Sequence, residues 1–174
     1  MDRFLYLNLP KFTCRVSPFF LAVSFFLGHF LGVCFSLGAS DSFYSMMRMA
    51  VFSPASITGL LSAVTLPFLC SAIAVYLKQP LLLLPVAFLK AFCFSCVGLG
   101  VLSCFGSAGW LIWFLLQFSD CCTLPVLYWY WRRHISGTGS FDWAVSMVIL
   151  SALLLVGSFD YCVISPFLAN IITY

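Results

Sequence analysis

Charge is what this chain has least of. Only 7% of its 174 residues are charged and none is Glu, whereas 63% are hydrophobic. An ordinary soluble domain carries about 25% charged residues, and a soluble core of this length could not bury so much apolar surface. No HExxH, nucleophile elbow or phosphate-cradling glycine loop is present, nor a polar segment long enough to house an active site, so an enzyme is not expected. No metal site or cofactor is expected either. The eight Lys and Arg, against five acids, are scattered between apolar segments, which argues against a nucleic-acid surface despite the net charge of +3. Alternation of polar and apolar residues is missing too, since Leu81 to Leu84 and Leu153 to Val156 are apolar on every side. That excludes a membrane β-barrel and leaves helices, the other structure that satisfies its own backbone in hydrocarbon.

What is present is a series of long apolar runs. A bilayer needs about 20 residues of helix, and five such spans are expected, at about 19–37, 56–77, 81–103, 109–131 and 143–164, forming one all-α integral membrane domain. The basic leader (Arg3, Lys11, Arg15), the first run and the small residues Gly38, Ala39 and Ser40 also fit a signal peptide, but the run is long for one. Residues 38–54 mix Asp41, Ser45 and Arg48 with Phe43, Tyr44, Met46 and Met49; an interfacial helix and a plain loop are the two readings. Pro54 opens the second span, Gly59 and Pro67 interrupt it, and Lys78, Gln79 and Pro80 end it. Gly137 and Gly139 break the loop after span four, and Pro166 closes span five, leaving a short uncharged tail.

With the N-terminus in the cytoplasm, Arg3, Lys11, Arg15, Lys78, Arg132 and Arg133 fall inside and only Arg48 outside, the asymmetry the positive-inside rule describes. Trp110 and the run Tyr128 to Trp131 fall at span ends, as an aromatic belt requires.

Ionisable residues within spans are costly, about 2.5 to 3.5 kcal/mol at the centre on insertion scales. Counting along the helices at about 1.5 Å per residue puts Lys90 of span three and Asp120 of span four both at mid-depth on adjacent antiparallel helices. They are expected to pair as a structural clamp, with an ion or proton relay as the other reading. His29 lies near the middle of span one and Asp160 near the outer end of span five, so these two meet only if tilt closes the difference in depth. A hydrogen-bonded His29 and a snorkelling Asp160 are the plainer expectation. Most of the nine Cys sit in apolar runs as small hydrophobes; the CxxC of Cys93 and Cys96 has no second ligand pair and reads as packing. Gly98 and Gly100, with Ser95 and Ser103, offer small residues to an approaching helix, and a homo-oligomer is compatible with them.

Phe88, Leu89 and Lys90, followed by Gly98, Gly100, Gly106, Trp110 and Pro125, resemble the central hairpin of the stage II sporulation protein M family. Span one with Gly28 and Gly32 is similar to that family's opening helix. Asp160 ahead of Ser165 and Pro166 is similar to its closing motif, with Asp where Glu is usual. The resemblance implies a non-enzymatic, multi-pass cell-membrane component of the engulfment machinery at the sporulation septum of an endospore-forming bacterium. It would help localise two partners that degrade peptidoglycan, through the outer segment around Asp41 to Phe52 with its Arg48, through Asp160 and Pro166, and through small-residue faces such as Gly98 and Gly100, with His29 as a further candidate contact. A small transporter or permease subunit is the competing expectation, motivated by Lys90, Asp120 and the interrupted second span.

Overall fold

The computed structural model describes residues 17–52, 56–135 and 141–172. Arg3, Lys11, Arg15, Pro54, Gly137 and Gly139, on which several expectations rest, lie outside these. Every element among the described residues is helical. Helix α1, Pro18–Leu37, starts with Pro at its first position, where its missing N–H costs nothing, behind a Ser17 cap. Helix α2 is Asp41–Phe52, so the segment after the first span is helical rather than a plain loop. Helix α3, Ile57–Tyr76, is capped by Ser56. Helix α4, Leu83–Phe105, follows a short turn at Pro80–Leu82 and ends at Gly106, whose φ of +56° suits glycine. The chain then doubles back through α5, Gly109–Leu116, and α6, Phe118–Ile135. Helix α7, Trp143–Phe159, is capped by Asp142 and runs through a single π-turn, Asp160–Ile164, into α8, Ser165–Ile172.

Among the described residues, four stretches are long and apolar enough to cross a membrane: Pro18–Leu37, Ile57–Tyr76, Pro80–Leu116 and Trp143–Leu168. Pro80–Leu116 includes the reversal at Gly106. The fourth expected span departs from a continuous helix. It is divided at Gln117, and its second part, α6, carries Asp120, Arg132 and Arg133. The last span departs as well, for it continues beyond Pro166. A proline inside a helix clashes with the carbonyl four residues back, here Cys162, but that residue lies in the π-turn, where the ladder is already widened.

Contacts give the directions. Ser24 Oγ donates to the Leu84 carbonyl at 2.8 Å and Ser36 Oγ to the Cys96 carbonyl at 3.2 Å, each pair 60 residues apart, so α1 and α4 run parallel. Between these bonds lie Gly28 and Gly32. A methyl on Gly28 would collide with the Phe88 carbonyl, and one on Gly32 would fall 2.6 Å from that of Phe92. Ser24, Gly28, Gly32 and Ser36 recur every fourth residue, which makes one small-residue ridge that lets two backbones touch. Helix α3 is parallel to α6, with Trp131 Nε1 donating to Ser71 Oγ at 2.6 Å and Phe68 against Tyr130. Helix α7 is antiparallel to α3, Gly157 facing Leu61 and Tyr76 facing Phe141.

The main core joins α1, α3, α4, α6 and α7 through Leu21, Phe68, Leu83, Leu127, Trp131 and Leu153. Val101, Ile112, Leu115 and Leu168 form a smaller one among α4, α5 and α8. Outward faces remain apolar, with Phe19, Phe26, Phe30, Val148 and Leu155 exposed, as hydrocarbon surroundings allow and water does not. Lys78, Arg132 and Arg133 gather at one end of the bundle and Arg48 lies at the other.

Replacing Gly32 by Val forces α1 off α4 and should cost about 1 to 3 kcal/mol or more, read as a lowered unfolding temperature in detergent. Phe30→Leu, on the exposed side of the same helix, should change it little.

Candidate functional site

The polar groups converge where α3, α4, α6 and α7 come level. Pro67 of α3 has no N–H to give the carbonyl of Ala63 four residues earlier. Lys90 Nζ takes that place, donating to the Ala63 carbonyl at 3.3 Å and to Asp120 Oδ1 at 2.5 Å. The pair is well sheltered, with side-chain exposures of 9% for Lys90 and 19% for Asp120. It is the one ion pair among the described residues. Such a pair contributes less net stability than its Coulomb attraction implies, because both ions lose water, but removing one partner strands the other.

Asp160 lies at this same level rather than near an outer span end. Its helix continues to Ile172, so the residue falls well inside the crossing. It is buried, not snorkelling, and its Oδ2 accepts from Ser119 Oγ at 2.5 Å, while Phe118 meets Phe159 one position earlier on each helix. Ser119 follows Gln117, the residue that divides α5 from α6. Thr123, one turn further along α6, is 1% exposed and its hydroxyl has no hydrogen-bond partner.

His29 and Asp160 do not meet. His29 is exposed on α1, and its Nδ1 shares a hydrogen bond with Ser95 Oγ of α4. A serine beside a histidine invites comparison with a nucleophile and its base. Ser95, however, is buried in the middle of α4 and also bonds the Ala91 carbonyl, and that helical ladder leaves no N–H free for an oxyanion. The contact instead extends the α1–α4 seam. Cys93 points outward and Cys96 is buried against the Gly32 carbonyl, so the CxxC residues do not face each other.

Gly98 and Gly100 are taken up within the chain. Gly98 sits under the Trp113 ring and Gly100 under Met47 and Phe43 of α2, which closes both to a partner helix. Asp160, 4% exposed, is likewise closed to direct partner contact. Arg48 and Pro166 remain exposed. Helix α2 is held down by Tyr44, whose hydroxyl donates to the Ser36 carbonyl, and by Phe43 against Phe35, so Arg48 is presented on a fixed element.

Ala63 and Thr123 were outside the sequence reading. Pro67 is the signal that leads to Ala63, since a proline in an apolar span frees a carbonyl that something must satisfy. The pair Ser119 and Thr123, four apart beside Asp120, is a polar face on a helix that is otherwise apolar at that depth.

The chain is therefore an all-helical protein with several helices fit to cross a membrane and a sheltered polar layer at their middle. Comparison with protein-family models, curated proteins and solved structures yields no match.

Asp120→Asn or Lys90→Met alone should each cost about 3 to 5 kcal/mol, measured as thermal unfolding in detergent. Lys90→Met combined with Asp120→Leu should recover most of the loss. Neutral single variants would show that the pair is not a clamp.

Proposed function

We propose that this chain is a five-crossing membrane scaffold of the stage II sporulation protein M type. It crosses through α1, α3, α4, α5 with α6, and α7 with α8, and the end carrying Lys78, Arg132 and Arg133 faces the cytoplasm, in keeping with the positive-inside rule. On this reading it acts in engulfment, holding peptidoglycan-degrading partners at the sporulation septum without chemistry of its own. The observation that carries the reading is the mutual satisfaction of Lys90 and Asp120. A scaffold needs only that its intramembrane charges neutralise each other, whereas a transporter needs one of them on a watered path. Partner contact then belongs to the exposed outer surface, with Arg48 on the anchored helix α2 and Pro166 on the last crossing, rather than to Asp160, Gly98 or Gly100. Membrane lipid covers the apolar flanks.

A second reading, a small transporter or permease subunit, draws support from the divided crossing at Gln117 facing the π-turn at Asp160, because broken helices at mid-depth are how many transporters build binding sites.

A fluorescent fusion followed in the native host during starvation separates the two. Enrichment at the asymmetric septum, engulfment stalled on deletion, and weakened partner recruitment in Arg48→Glu are expected. Uniform distribution with normal engulfment would sink the scaffold reading.

A further inference from the structure

Asp160 is a buried carboxylate without a cation. Its single side-chain hydrogen bond comes from a neutral hydroxyl, Ser119. Lys90, the cation at this level, is committed to Asp120 and the Ala63 carbonyl. Helices α3, α5, α7 and α8 carry no charged side chain, so the layer holds one basic and two acidic side chains. An unpaired carboxylate in such surroundings is expensive, and it is relieved by a proton or by a bound cation.

Two further oxygen sources and one backbone distortion lie at the level of that carboxylate. Thr123 follows Ser119 by four residues on α6, which puts both on one face, and the Ser119 hydroxyl is bonded to Asp160. The Thr123 hydroxyl on that face is buried to 1% exposure with no partner, a state buried hydroxyls rarely keep. Helix α5 stops at Leu116, where the ladder skips one residue: the Gln117 N–H still reaches the Trp113 carbonyl and the Gln117 carbonyl accepts from the Cys121 N–H at 2.8 Å, while the negative end of the α5 dipole falls at Leu116. Across from it the π-turn begins at Asp160 itself, a distortion that is costly and recurs at functional sites. The donors are hard oxygens without His or Cys, which suits an alkali or alkaline-earth ion rather than a transition metal. One carboxylate beyond the Lys90–Asp120 pair matches a single monovalent ion.

We propose that Asp160, Ser119 and Thr123, together with the main-chain carbonyl of Leu116, bind one sodium ion that ties α6 to α7. The site does not depend on the scaffold reading, and its test needs only the purified full chain in detergent. Sodium chloride in place of choline chloride at equal ionic strength should raise the unfolding temperature in a dose-dependent way, as any ligand of the folded state does. Radioactive sodium should saturate at one ion per chain. Asp160→Asn should abolish both effects. Thr123→Val removes only an unpartnered hydroxyl, so it should fold normally while binding sodium about tenfold more weakly, one oxygen donor being lost. Equal unfolding temperatures in sodium and choline, an equal shift in potassium, wild-type sodium affinity in Thr123→Val, or a stability that follows pH alone would each overturn the site.

Discussion

A lysine placed halfway along an apolar helix must find both a counter-charge and a way to use its remaining donors, and Lys90 does so with groups from two other helices. Asp120 supplies the charge from α6, and α3 supplies the Ala63 carbonyl that Pro67 leaves open. Each partner sets a different coordinate. Sliding α4 by one residue would move Nζ by about 1.5 Å and turn it by about 100°, enough to lose both contacts. The charge thus fixes depth and rotation for three helices, a registry that apolar side chains against lipid leave poorly specified. Asp120 adjoins Ser119, and Ser119 reaches Asp160, so the same polar layer extends to α7.

Helix α1 stands apart from this layer and is held by another mechanism. Lipid tails are as apolar as its Phe and Leu side chains, so burial alone gives it little reason to associate. What holds it is close backbone contact, which the ridge of Ser24, Gly28, Gly32 and Ser36 permits against the carbonyls of α4. Serine hydroxyls at both ends of the ridge add hydrogen bonds, and His29 to Ser95 adds one between them. The rest of α1 keeps an apolar outer face. Helix α2 then folds over the end of this seam, where Gly100 gives Met47 and Phe43 room.

Helical class and the apolar segments were legible because composition and run length leave few alternatives. The meeting of Lys90 with Asp120 was legible too, since a hairpin at Gly106 makes depth a matter of counting residues from the turn. The break at Gln117 was not, because Leu116, Gln117 and Phe118 contain no proline or glycine and break a helix only in the company of their neighbours. Asp160 was misplaced for a related reason. Pro166 reads as a terminator in sequence, but the π-turn before it removes the clash that would have ended the helix, and a longer crossing carries Asp160 inward. Gly98 and Gly100 were readable as places of close approach, yet sequence does not say whether the approaching side chains belong to the same chain. Here they do.

Two irregularities, the division of α5 from α6 and the π-turn after α7, occur opposite each other and at the level of the charges. Each departs from the regular ladder in a medium that offers no water, where irregular backbone persists only if protein or a polar cavity surrounds it. Their coincidence argues against accidental strain at two unrelated places. A regular pair of helices would pack there at lower cost, so the sequence holds α6 and α7 out of the simpler arrangement. Ser119, Thr123 and Asp160 are the side chains gathered by that departure, and the oxygen they bring together is what the distortion creates. The polar layer is in this sense divided in function. Lys90 and Asp120 satisfy each other and fix the bundle, while Asp160 keeps a single neutral hydroxyl for a partner, and it is there that the proposed ion would act.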